Sequence, residues 1–285
     1  GKQSPQLEDR RGEAPARPTV RGTGAGILVL LFRRFGIVGL LVGAATLYFF
    51  GGLGQGGGST SRASGPGDHA TLDAREEPAV QFVSFVLDDA QQSWQSLLAP
   101  TRTPYRLARL VLFRGETHSD CGAGQAQMGP FYCSRDEKVY LDLGFFDELR
   151  DRFRAAGDFA QAYIIAHEIG HHVQNVVGTF ERARGSGKQN GASGVSVRME
   201  LQADCYAGVW GHSAAERDIL EPGDLEEALR AATAIGDDVL QRKARGTVRP
   251  ESFTHGTSEQ RVRWFRRGFE AGDMRQCDTF SVTRL

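Results

Sequence analysis

The sequence predicts an α+β fold, mainly helical with a small antiparallel sheet, preceded by one transmembrane helix. Three observations predict it: an uncharged apolar run near the N-terminus, short β-rich runs between residues 105 and 143, and longer stretches on both sides of them with apolar residues at helical spacing. At 285 residues the chain can bury a core, and with no internal repeat the part after the apolar run reads as one domain. Lys and Arg number 34 against 35 Asp and Glu, so no global charge recruits nucleic acid.

Residues 1–34 hold seven Lys and Arg against three Asp and Glu and few core-forming side chains, which reads as a basic tail. The run FGIVGLLVGAATLYFFGGLG, residues 35–54, reaches roughly 30 Å as a helix, one hydrocarbon core. Extending it back over Ile27–Phe32 would sink Arg33 and Arg34 into lipid at about 2.5–3.5 kcal/mol each, so the shorter span is preferred. Positive-inside bias then puts the tail in the cytoplasm and everything after the span outside. A cleaved signal peptide fits less well, because the basic region is long and no clear A-x-A site follows. Gly39 and Gly43 form a GxxxG that could pair two anchors in a weak homodimer. Residues 55–74, rich in Gly and Ser, read as a tether, and the folded domain is expected over 75–285.

Within that domain, residues 76–98 carry Phe82, Phe85, Val86, Trp94, Leu97 and Leu98 at helical spacing. Residues 105–116 read as a strand, and 131–143 as two short strands around the polar turn Ser134–Glu137. Helices follow over 144–155, over 159–177 behind a Gly157-Asp158 start, and over 196–213 after a polar, glycine-rich loop at 181–194. Asp224–Glu227 and Thr257–Gln260 resemble capping boxes opening two more helices. Four cysteines in an exported domain can pair in three ways. Cys121 and Cys133 flank a Gly-rich turn and make a local pair, which leaves Cys205 with Cys277; four buried thiols are the alternative.

The chemistry concentrates in YIIAHEIGHHVQN. On a helix His167 and His171 share a face and can reach one ion, with Glu168 beside them, the HExxH arrangement. A catalytic zinc needs a third protein ligand and an open position. RMELQADCYAGVW offers Glu200 to complete the set, and Asp204, four residues on, to accept the free N–H of a ligating imidazole. Glu168 is then placed as the general base that takes a proton from water and returns it to the leaving amine. His172 falls about 100° from His171 and is expected to pack or hydrogen-bond. His69 and His118 read as loop bystanders, and His212 as a surface or capping residue. The helix is interrupted by polar residues, which argues against an intramembrane site.

HEIGHHVQN, RMELQADCYAGVWGH, CGAGQAQMGPFYC, GDLEEALRAATAIGDD and SFTHGTSEQR, in that company, resemble a bacterial family of neutral zinc metallopeptidases whose members look like single-span proteins. More distantly, HExxH with a downstream ExxxD is similar to the gluzincin arrangement. The resemblance implies a zincin-like peptidase domain on the outer side of the bacterial inner membrane, Zn2+ on His167, His171 and Glu200, Glu168 as base, Asp204 behind a ligand, and a peptide or protein substrate. A Thr-His and Arg pattern of membrane-associated gluzincins is matched at Thr254, His255 and Arg261, with Gly256 where proline is usual. His255 is therefore the candidate to stabilise the developing oxyanion, with Arg261 expected to brace it. A zinc-containing scaffold that binds envelope proteins without cutting them is the alternative; retention of Glu168 speaks against it, since a structural zinc needs no base.

Overall fold

A computed structural model describes residues 3–13 and 66–285 apart from 186. Contacts divide the chain into residues 1–15 with 72–285 and residues 16–71, and of the second unit only the helical residues 66–71 are described. The expected span at 35–54, with Gly39 and Gly43, lies outside the described residues. Among those described, no helix is long and apolar enough to cross a membrane.

The order is β1 (Leu7–Asp9), α1 (Pro66–Leu98), β2 (Arg109–Phe113), β3 (Glu116–Ser119), β4 (Gly122–Gln125), β5 (Phe131–Cys133), β6 (Lys138–Asp142), α2 (Gly144–Asp151), α3 (Asp158–Val176), α4 (Thr179–Ala183), α5 (Val195–Glu216), α6 (Asp224–Ala234), α7 (Asp237–Arg245) and α8 (Ser258–Ala271). The class is α+β and mainly helical, as expected. α1 begins at Pro66, so the tether ends earlier than residue 74, and His69 is helical rather than in a loop. His118 lies in β3, paired with β4.

The sheet departs from expectation. Its order is β1-β2-β6-β5, with β1, β2 and β6 parallel and β5 alone antiparallel. A parallel pair leaves no short turn between its strands to betray it.

The larger correction concerns the basic tail, since residues 3–13 belong to the domain. Leu7 pairs with Leu110 and Asp9 with Leu112. The charges of this segment have partners: Lys138 Nζ lies 3.0 Å from Glu8, and Glu76 of α1 receives Arg11 at 2.7 Å and Arg114 at 2.6 Å. Neighbouring strands of one sheet occupy one side of any membrane. An arrangement with residues 1–34 across a bilayer from 75–285 therefore does not hold for residues 3–13.

α3, α5 and α8 carry the site, and two glycines let their backbones close. A Cβ on Gly170, inside HEIGHH, would fall 2.9 Å from the Ala203 carbonyl oxygen, and one on Gly268 would fall on that of Cys205. α3 thereby meets α5 beside Asp204. Tyr163, Ile169 and Val173 of α3, Leu201 and Val209 of α5, and Phe265 of α8 are buried in the shared core. α8 opens with the Thr257–Gln260 capping box, whereas α6 starts after Gly223 with no side-chain cap.

Disulfides join Cys121 to Cys133 and Cys205 to Cys277, and no described cysteine is free. The first ties the end of β5 to the β3–β4 hairpin; the second ties the C-terminal segment to α5.

Candidate metal centre

One helical turn of α3 and one of α5 face each other. His167 Nε2 lies 3.2 Å from Glu200 Oε2, and His171 Nε2 lies 3.4 Å from Glu200 Oε1. The three residues offer ligand atoms all within 4.8 Å of one another. Zinc bonds of about 2.0–2.1 Å in a tetrahedron put ligand atoms roughly 3.3–3.4 Å apart, so two imidazoles and a carboxylate here fit a zinc ion and leave a position open.

Behind His167 stands a closed ionic network. Its Nδ1 is 2.8 Å from Asp204 Oδ1, and Asp204, fully buried, also accepts from Tyr163 Oη at 2.6 Å and from Arg261 Nε and Nη2 at 2.9 and 2.8 Å. Burial alone would raise the Asp204 carboxyl, but the Arg261 charge and His167 hold it below its usual range. Burial would likewise lower His167, yet the Asp204 charge and hydrogen bond prevail and lift the metal-free imidazole to about 10. Burial opposes the ionised form of Glu200 too, and His171 and His167 nonetheless keep it well below the normal carboxylate value.

Glu168 differs. It is 8 % exposed, and burial pushes its carboxyl up against the pull of His167 and His171. A raised carboxylate beside a metal position can take and return a proton. His167, Glu168, His171, Glu200 and His255 line one cavity of about 1260 Å3, with Phe145, Phe153 and Phe180 among its apolar walls.

His255 is braced differently from the expectation. Asp237 Oδ2 accepts the backbone N–H groups of Thr254, His255 and Gly256 at 2.8, 2.7 and 3.0 Å, and its Oδ1 lies 3.3 Å from His255 Nδ1. Arg261, expected beside His255, instead holds Asp204. The hydrogen bond to Asp237 raises His255 above the usual histidine value, opposed by partial desolvation of a side chain that stays half exposed. His172 hydrogen-bonds as expected: Nε2 donates to the Arg106 carbonyl at 2.6 Å, and Nδ1 accepts from Tyr132 Oη at 3.0 Å. His212 joins α5 to the end of α8, with Nδ1 2.7 Å from the Phe269 carbonyl.

Asp237, Tyr163 and Gln174 escaped the sequence reading. Tyr163 stands four residues before His167 on the same face, a periodicity that could have found it. No spacing links Asp237 to His255, because their contact is made across a loop.

An α+β chain whose HExxH helix crosses an ExxxD helix around two histidines and a glutamate has the donor set of a zinc-binding hydrolase. Residues 1–280 match the family model described as "Putative neutral zinc metallopeptidase", and the chain belongs to this family. It is 51% identical over 213 residues to the uncharacterized protein YpfJ of Escherichia coli (strain K12), covering 74% of each chain. It is 43% identical over 203 residues to the uncharacterized protein Rv2575 of Mycobacterium tuberculosis (strain ATCC 25618 / H37Rv), covering 67% of each. No solved structure matches the chain.

Proposed function

We propose that the protein is a zinc-dependent peptidase with a zincin-like domain, in which His167, His171 and Glu200 hold the metal and Glu168 is the general base. The observation that carries this reading is the convergence of His167 Nε2 and His171 Nε2 on the two oxygens of Glu200 at 3.2 and 3.4 Å, beside a buried Glu168. Zinc at such a site supplies Lewis-acid polarisation of a scissile carbonyl and acidifies a water toward a pKa of about 7.

The chain's own residues supply the rest. Asp204 fixes the proton of His167 on Nδ1 and leaves Nε2 for the metal. Glu168, raised by burial, accepts a proton from the attacking water and delivers it to the departing amine. His255, held by Asp237 on the wall of the same cavity, donates to the oxyanion as the carbonyl carbon becomes tetrahedral. The volume and apolar walls of the cavity suit a peptide segment. Two disulfides support an oxidising compartment outside the cytoplasm for the domain.

Metal analysis tests the ligand set. The full chain is expected to carry about one zinc, falling strongly in His171→Ala. Undiminished zinc in that variant contradicts the assignment.

A further inference from the structure

His171 has two ring nitrogens with different neighbours. Nε2 looks toward Glu200 at 3.4 Å, while Nδ1 lies 2.8 Å from Gln174 Oε1. An imidazole ligates through the nitrogen that carries no proton, so whatever fixes the proton on Nδ1 prepares Nε2 for the metal.

A glutamine amide can offer either its oxygen or its nitrogen, and its orientation must be settled by groups with one role only. Gln174 Nε2 lies 2.7 Å from the Met199 carbonyl oxygen, an atom that only accepts. That end of the amide is therefore the NH2, and Oε1 is turned to His171, where it too can only accept. The second hydrogen of the NH2 goes to Gln202 Oε1 at 3.2 Å. Gln202 is oriented in turn, because its Nε2 donates to the Cys277 carbonyl at 2.9 Å. The direction of donation thus runs His171 to Gln174 to Gln202 to Cys277 without a break. Gln174 and Cys277 are fully buried and Gln202 nearly so, which keeps competing water out.

The far end is covalently fixed. Cys277 is bonded to Cys205, the residue after Asp204 on α5, and the segment beyond is latched by Thr279 Oγ1 donating to the Arg198 carbonyl at 2.7 Å. The carbonyl that orients Gln202 is held to the same helix that presents Glu200.

We propose that Gln174 and Gln202 are positioning residues that set the tautomer and ring orientation of His171 through an amide chain anchored at the Cys205–Cys277 disulfide. This rests on the reading of His171 as a metal ligand. The chain carries no charge, so it orients the ring without building a buried ion beside the metal. Met199 alone can hold the Gln174 amide, so Gln202 and the disulfide contribute less than Gln174 itself.

The test is zinc affinity by competition with a chelator, together with the visible spectrum of the cobalt-substituted protein, on the full chain. Gln174→Met keeps the side-chain length and removes the acceptor; Gln174→Glu restores an acceptor to Nδ1. Gln174→Met is expected to weaken zinc about 10–100-fold and to shift the cobalt bands, the range for losing an imidazole's hydrogen-bond partner. Gln174→Glu is expected to recover part of the affinity, since it restores the acceptor to Nδ1 but loses the hydrogens given to Met199 and Gln202, and Gln202→Met and the Cys205→Ser/Cys277→Ser pair are expected to fall between Gln174→Met and the parent. Parent-like affinity and spectrum in Gln174→Met overturn the proposal. So does equal weakening in Gln174→Met and Gln174→Glu with a matching fall in the metal-free melting temperature, which marks packing alone. Failure of the parent to bind zinc, or unchanged binding in His171→Ala, refutes the metal-site reading instead.

Discussion

His167 and His171 sit one helical turn apart on α3 and face the same carboxylate, yet the first is backed by ions and the second by amides. Behind His167, Asp204 and Arg261 form a two-point ion pair with Tyr163 against it, all buried. Behind His171, Gln174 and Gln202 pass hydrogen bonds to a backbone carbonyl. Both devices fix a tautomer. The ionic one also makes its imidazole more basic, and it creates a charge that cannot be left alone. One helical turn can thus carry a strong and a gentle orienting group for two imidazoles that face one carboxylate.

That contrast can be broken first at its charged side. Arg261→Met would leave Asp204 ionised, buried and without its cation, and should cost about 3–5 kcal/mol of stability, read as a lower denaturation midpoint of the metal-free chain. A loss under about 1 kcal/mol would mean that the network is solvated, as surface pairs are.

His255→Ala comes next. Its loss of an oxyanion donor should lower kcat by about 10²–10³, roughly 2.7–4 kcal/mol, with KM and zinc content nearly unchanged. The sign with pH follows from its raised pKa: the protonated donor is present below the folded pKa and is lost as pH rises through it. The parent should therefore show an alkaline fall in kcat above the ordinary histidine value of about 6.5 that the variant lacks. An unchanged kcat returns His255 to the wall of the cavity.

Gly170→Ala should have the smallest effect and probes both sides at once, because it parts the two helices that both orienting groups bridge while leaving every orienting side chain in place. The added Cβ meets the Ala203 carbonyl at 2.9 Å, and relief of that contact should cost about 1–3 kcal/mol and weaken zinc, since Glu200 moves away from both histidines together. Full stability with intact zinc would show that the helices part freely at that point.

The ionic side was more legible in the sequence than the amide side. His167, His171, Glu200 and Asp204 announce themselves as pairs four residues apart, because a helix puts such pairs on one face. Thr257 and Gln260 are legible for the same local reason, and the hairpin of β5 and β6 because a polar turn lies between them. Gln174 and Gln202 have no such spacing with each other, and glutamine on a helix is ordinarily a solvated residue. Arg261 was singled out but given the wrong partner, since only packing shows that α8 turns it toward Asp204 and leaves His255 to Asp237. Residues 3–13 were illegible for a different reason. A three-residue strand has no usable period, and its pairing with β2 is non-local, so its charges resembled a solvated tail until Glu76 and Lys138 were seen beside them.

Whether Glu168 moves the proton while its neighbours hold the metal is decided by Glu168→Gln, with zinc content and hydrolysis of a quenched peptide library measured on the same sample. Parent-like zinc with hydrolysis reduced by at least about 10²-fold is expected, because the base is lost and the ligands remain. Parent-like hydrolysis in that variant, or loss of the zinc along with the activity, would contradict it.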